Sequence, residues 1–250
     1  MKTLAYLPLL YGKDYIAYSI MSYYDDVDQI LICYSPKPSH GHPSNMACPD
    51  SEQELIDICA SIDNDNKIIW HKGDWQQENQ QRNFAHDYAR SKGFDLLFNA
   101  DFDEIWRPGF LPELLKLTYE RKASKCLIWM RHLWRSFNWI CDDQMRQERI
   151  YYLGADKGDL IYAPQPENQV FHFGYARTLA DVQYKISCHG HSSEWLQSKQ
   201  DWFDSKYKPF PPKGDATHPA CAGVWIPKPF DKNELPDFMK THQYYNLEAI

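Results

Sequence analysis

An α/β fold, with a mostly parallel sheet covered by helices on both faces, is what this sequence predicts. Three observations carry that prediction. Short apolar runs alternate with amphipathic helical stretches through the first half of the chain. The runs are apolar almost throughout rather than at every second residue, as strands buried on both faces require. Capping and stop residues fall between them.

Taken in order, Leu4 to Leu10 is the first apolar run, and a helical stretch through Tyr15, Ile16, Ile20 and Tyr23 follows. The opening MKTLAYLPLLYGK has the Lys and apolar run of a leader peptide. Pro8 and Tyr11 interrupt it and no small-x-small cleavage pattern follows, so it reads as a first strand. QILICYS (29–35) is the second strand. A Pro-, His- and Ser-rich loop (36–50) runs to Ser51-x-x-Glu54, a capping box opening a helix with Leu55, Ile58, Cys59 and Ile62 on one stripe. KIIWH (67–71) is the third strand. Residues 76–92 form a polar helix with Phe84, Ala85, Tyr88 and Ala89 along one side, stopped by Gly93. A fourth apolar run, 94–98, leads into Asp101, Asp103 and Glu104, and Pro108 opens the helix PGFLPELLKLTYER.

The second half is less regular. Strands are expected near 126–133, 149–154, 160–163 and 169–173, then a helix capped by Thr178-x-x-Asp181 with Leu179, Val182 and Ile186 inward. The Pro- and Lys-rich stretch 207–229 reads as a loop wrapping the body. No internal repeat is present and no apolar run approaches transmembrane length.

Composition excludes some classes. A net charge of -7 provides no global cationic field for bulk nucleic acid, so any such contact must be local. Seven scattered cysteines with no C-x-x-C pair read as reduced thiols of a cytoplasmic protein. Aromatic residues make up 15%, a high share; a surplus of this kind usually packs in cores, and some rings are candidates to line a sugar or base site.

The chemistry centres on FNADFDEIW (98–106). Three carboxylates at the end of a buried strand repel one another and cost desolvation unless something positive meets them. By strand alternation Asp101 and Asp103 share a face, an oxygen site suited to Mg²⁺ or Mn²⁺, while Glu104 points away toward Arg107 or Arg82. Ligands of parallel sheets bind beyond the carboxyl ends of the strands, where this segment lies. His40, His42 and Cys48 mimic part of a zinc site but lack a fourth ligand at standard spacing.

Three segments together resemble a glycosyltransferase of the GT-A fold, similar to small family-2-like enzymes. They are Asp101-Phe102-Asp103-Glu104-Ile105, the helix carrying Gln81-Arg82-Asn83 after Trp75, and HFGYARTLADVQYKI (172–186). The resemblance spans residues 4–190. It implies a single Rossmann-like domain, with 1–107 binding a nucleotide-sugar and 108–250 forming the acceptor side. It implies Asp103 as direct metal ligand and Asp101 on donor hydroxyls or metal-bound water. His172 is the implied third ligand, with His191 in reserve after His189.

Arg82 is the first basic partner for the departing diphosphate, with Asn83 beside it and Arg177 and Lys185 next. Leu9, Tyr11, Ser35 and Asp74 would line the donor, a UDP-sugar by default. An inverting transfer needs a base, for which Asp142, Asp143, Glu148 and Glu194 are the candidates. Asp142 and Asp143 follow RHLWRSFNWIC (131–141), where arginines and aromatics interleave as an acceptor wall. A saccharide acceptor is expected first. A hydroxymethylated pyrimidine in DNA comes second, served by Arg131, Arg135, Arg146 and the lysines at 199, 206, 208 and 213. Three other readings share features: a nucleotidyltransferase, although YLPLLYGKDY has only Gly12 and Lys13 of a phosphate loop; a metal-dependent hydrolase, although that needs a denser His/Asp set near one strand; and a non-catalytic carbohydrate-binding protein, which would explain the aromatics but not the D-x-D.

Overall fold

Side-chain alternation along the first strands explains the architecture. In the computed structural model, which describes residues 1–38, 45–142, 146–154, 158–163, 170–188 and 195–250, β1 (Thr3–Leu9), β2 (Gln29–Tyr34), β3 (Ile68–Lys72) and β4 (Leu96–Asn99) lie side by side and parallel. Ala5, Leu7, Ile30, Ile32, Leu96 and Phe98 enter one apolar layer, and Leu4, Tyr6, Leu31, Cys33 and Leu97 enter the other. Both faces are therefore buried, and the α/β class with a mostly parallel sheet is the one observed.

Helices α1 (Ile16–Met21), α2 (Glu52–Ile62) and α4 (Phe110–Arg121) supply buried side chains to the first layer, and α3 (Glu78–Ser91) to the second. The Ser51 capping box forms as its spacing predicts, with the Glu54 amide donating to Ser51 Oγ at 3.3 Å and the Ser51 amide to Glu54 Oε2 at 2.9 Å. Gly93 ends α3 at φ +70°, which a side chain would disfavour.

The sheet continues past β4 through β9 (Gln147–Tyr152), β6 (Lys125–Ile128) and β10 (Leu160–Tyr162), giving the order β10-β6-β9-β4-β1-β2-β3. β9 runs antiparallel to both its neighbours. The single strand expected over 126–133 is two. β6 ends at Ile128, and β7 (Arg131–Trp134) joins a second sheet with β5 (Glu104–Trp106), β8 (Trp139–Asp142), β11 (Val170–Tyr175) and β12 (Lys228–Pro229), ordered β12-β8-β7-β11-β5.

Leu133, Phe137, Ile140, Phe171 and Phe173 cover one face of this second sheet with Phe230, Leu235, Met239 and Tyr245 from the C-terminal stretch. Trp134, Tyr175 and Cys141 pack against α5 (Leu179–Ser187), α6 (Lys199–Trp202), Tyr207 and Trp225 on the other. Thr178 caps α5 as its spacing predicts. The expected wrap of 207–229 is anchored by Trp225 and by Thr217, whose carbonyl accepts from Trp202 Nε1 at 2.8 Å.

Candidate active site at the carboxyl edge of the sheet

The carboxylate segment is a turn between two sheets, not the end of a strand. β4 stops at Asn99, β5 starts at Glu104, and the Glu104 amide closes on the Asp101 carbonyl at 3.2 Å. The alternation that would put Asp101 and Asp103 on one face therefore does not apply. The turn brings Asp101 and Glu104 together instead, and both meet Arg149.

Arg149 stands on β9 one step beyond the Phe98–Ile150 pair, which places it where β4 ends. Its Nε donates to both Glu104 carboxylate oxygens at 3.1 Å, and Nη2 donates to Glu104 Oε1 and, at 2.8 Å, to Asp101 Oδ2. Glu104 is 0% exposed. Burial pushes its carboxyl up to about 8, against the pull of the Arg149 guanidinium, and Asp101 opposite raises it further. Those same two acids hold Arg149 above its usual value against the effect of burial. Neither Arg107 nor Arg82 is the partner: Arg107 Nη2 donates to the Glu234 carbonyl at 2.8 Å.

Asp103, 2% exposed, faces the other way. Its Oδ1 lies 3.4 Å from His172 Nε2 and its Oδ2 accepts from Lys185 Nζ at 3.4 Å. The second sheet accounts for this meeting, because Glu104, His172, His132 and Cys141 stand in one register row across β5, β11, β7 and β8. His172 Nδ1 accepts from the Gly174 amide at 3.3 Å and faces His132 Nδ1 at 3.1 Å. Burial, reinforced by His132 and Lys185, holds His172 well below the usual histidine value, so the ring is neutral. With Nδ1 accepting, this network leaves the proton on Nε2, toward Asp103.

Arg177 is fully buried beneath Tyr11 and Phe102, 4.9 and 5.2 Å from their ring centres, with Asp14 at 3.5 Å. Its Nε and Nη1 have no hydrogen-bond partner among the described residues. Tyr11 is buried too. Gly12 lets this layer close, since a Cβ there would stand 2.2 Å from the Phe102 ring.

The other donor-side expectations scatter. Leu9 and Ser35 are buried at the ends of β1 and β2, joined by Ser35 N to Leu9 O at 2.8 Å, and Ser35 Oγ donates to Lys37 O at 2.6 Å. Asp74 is exposed and accepts from the Gln76 side-chain amide at 3.3 Å. Arg82 has 52% of its side chain exposed and pairs with Glu78 one turn earlier on α3, and Asn83 is exposed beside it. The inward residue of that triplet is Gln81, whose amide donates to Cys33 O at 2.7 Å.

On the acceptor side, the interleaved stretch 131–141 builds core rather than a wall. Trp134 and Phe137 are fully buried, and Arg135 is buried against Tyr207 with Nη1 on the Ile250 carbonyl. Arg131 is paired with Asp142 at 3.0 Å. Burial alone would raise the Asp142 carboxyl, but Lys228 and Arg131 hold it below the usual range, which makes it a weak base as placed. Glu148 accepts from Lys125 at 2.8 Å. Asp143, Glu194, His189, His191, His40 and His42 lie outside the described residues. Cys48 Sγ is directed at the Leu10 carbonyl.

A divalent cation needs several lone pairs converging on one point. Among the described residues no three His, Cys, Asp or Glu side chains do so. Asp101 Oδ2 and Asp103 Oδ2 already face a guanidinium and an ammonium, and Asp103 Oδ1 faces His172 Nε2. An ion on Asp103, about 4 Å from the Lys185 ammonium, would be repelled by roughly 8 kcal/mol at an effective dielectric of about 20. The expected ligand set of Asp101, Asp103 and His172 does not fit a divalent cation in this arrangement.

Sequence reasoning missed Arg149 and Gly174. An arginine opening the strand expected over 149–154 was the available signal for the first, because a charge in a central strand needs a buried partner.

No family model matches the chain, and no curated protein matches it. Solved structures do. Residues 1–349 of S. aureus TarS are 9% identical over 74% of this chain and 63% of that one, with a TM-score of 0.45. The same protein in complex with UDP gives 10%, 83%, 70% and 0.43. A CMP:2-keto-3-deoxy-manno-octonic acid synthetase complexed with CTP gives 11%, 62%, 75% and 0.36. The chain spans less than two thirds of the first of these. At such identities the likenesses bear on neither donor, acceptor nor reaction.

Proposed function

We propose that this chain is a glycosyltransferase of the GT-A type, transferring a sugar from a UDP-sugar to a hydroxyl of a saccharide with inversion, on one domain whose halves meet at residue 107. The observation that carries the reading is the D-F-D-E turn at the carboxyl edge of parallel strands, with Asp101 set against Arg149, Asp103 against Lys185, and Glu104 buried on Arg149. That edge is where parallel sheets receive nucleotides.

In the transfer, the acceptor oxygen forms a bond to the anomeric carbon as the bond from that carbon to the diphosphate oxygen breaks. The electron pair leaves with the nucleoside diphosphate, and the hydroxyl proton passes to a base on the acceptor side. Asp101, with 40% of its side chain exposed and one oxygen held by Arg149, is oriented to accept from donor hydroxyls. Trp129 and Tyr162 support a saccharide acceptor. They follow or end strands β6 and β10, which point to the same edge, and Arg146 lies 4.7 and 4.4 Å from their ring centres.

Release of nucleoside diphosphate from a panel of UDP-, GDP- and dTDP-sugars tests the reading. One donor should be turned over, and Asp103→Asn should lower the rate by about a hundredfold with unchanged circular dichroism. Pyrophosphate release from CTP and a sugar acid, with no sugar-nucleotide turnover, would select the nucleotidyltransferase reading instead.

A further inference from the structure

The ammonium of Lys185 is fixed from three sides. Asp103 Oδ2 lies 3.4 Å away and the Tyr175 ring centre 5.1 Å. The third side is a notch: a Cβ on Gly174 would stand 2.3 Å from Lys185 Nζ and 2.3 Å from His172 Cε1. Any residue larger than glycine would evict the ammonium and tilt the imidazole. Arg149 is fixed as firmly on Asp101 and Glu104. Two positive charges thus stand against Asp101 and Asp103, the charge that one divalent ion would bring.

We propose that Lys185, seated in the Gly174 notch, takes the place of a divalent cation at this turn, so that the chain binds a nucleoside diphosphate without metal. The ammonium is accessible enough to serve, with 18% of its side chain exposed, whereas Asp103 beneath it is not. A fixed ammonium stabilises a departing diphosphate because it needs no reorganisation as charge develops. The proposal rests on the glycosyltransferase reading for the identity of the anion, and on the donor set alone for the absence of a metal site.

Two titrations test it, Mn²⁺ alone followed by electron paramagnetic resonance, and UDP followed by calorimetry in EDTA and in Mn²⁺. Wild type should bind no stoichiometric Mn²⁺ up to about 1 mM, and UDP should bind alike in both buffers. Lys185→Met should weaken UDP at least about tenfold in EDTA, and Lys185→Arg should recover part of the loss. One Mn²⁺ per chain, lost in Asp103→Asn, would overturn this proposal and leave the glycosyltransferase reading standing. Absence of UDP binding in either buffer would overturn both.

Discussion

Replacing Arg149 with Met should expose how much of the carboxylate turn depends on one guanidinium. Arg149 makes three contacts to Glu104 and one to Asp101, and Glu104 is wholly buried. Removing one partner of a buried pair costs about 3–5 kcal/mol because the other charge is left without compensation. For a chain of this length that is a fall in Tm of roughly 10 °C.

The loss must depend on pH. Glu104 already titrates at about 8 through burial, and without Arg149 its value rises further. Below the titration the carboxyl is neutral in both proteins, so the cost shrinks to the lost hydrogen bonds, about 1–2 kcal/mol. Above it the variant must either ionise an unpaired group or hold a proton against solvent. Thermal unfolding of wild type and Arg149→Met at pH 5 and pH 9 measures both limits. A loss below about 1 kcal/mol at pH 9, or one equal at the two pH values, would refute the pairing.

Three other outcomes follow from the same geometry. Glu104 in wild type holds its proton between the ordinary carboxylate value and about 8 while the unfolded chain has released it, so stability falls as pH rises through that window. His172 acts oppositely below the ordinary histidine value, where the unfolded chain binds the proton that the folded ring refuses, so the clean interval is about 6.5 to 8. Glu104→Gln should flatten the slope there in a urea-unfolding series. Gly174→Ala should lower donor turnover by about a hundredfold, since displacing Lys185 and His172 by about 1 Å is a misplacement of that cost, and should lower Tm as well because buried Asp103 loses its ammonium partner. Wild-type turnover in that variant would deny the notch its role. Gly12→Ala should shift Tm down by several degrees, because its Cβ meets the Phe102 ring at 2.2 Å in a backbone at φ +146°. An unchanged Tm would show that Phe102 moves freely.

The sequence made the first sheet legible because burial on both faces writes continuous apolar runs, and Ser51, Gly93 and Thr178 mark ends by local chemistry. Apart from β11, which falls where a strand near 169–173 was expected, the second sheet was illegible for a physical reason. Its strands are two to six residues long, and β6 and β7 adjoin in sequence with only Trp129 and Met130 between them. At the site, the need for positive partners could be read from the acids alone, and the structure brings His172 and Lys185 to Asp103. Which cation meets which acid could not be read. That depends on a turn at 101–104 that cancels strand alternation, and on β9 lying antiparallel beside β4, a contact 48 residues distant in the chain for Arg149 and Asp101. Arg82 failed as a partner because α3 packs through Gln81, Ala85 and Ala89, which turns position 82 outward.

A crystal structure of the protein with UDP, grown in EDTA, tests the central claim most directly. The diphosphate should lie at the carboxyl edge of β1 and β4, within hydrogen-bond distance of Lys185 Nζ, with the Arg149 contacts to Asp101 and Glu104 intact. UDP bound away from residues 101–104 and 185, or a diphosphate reaching Asp103 only after metal is added, would contradict it.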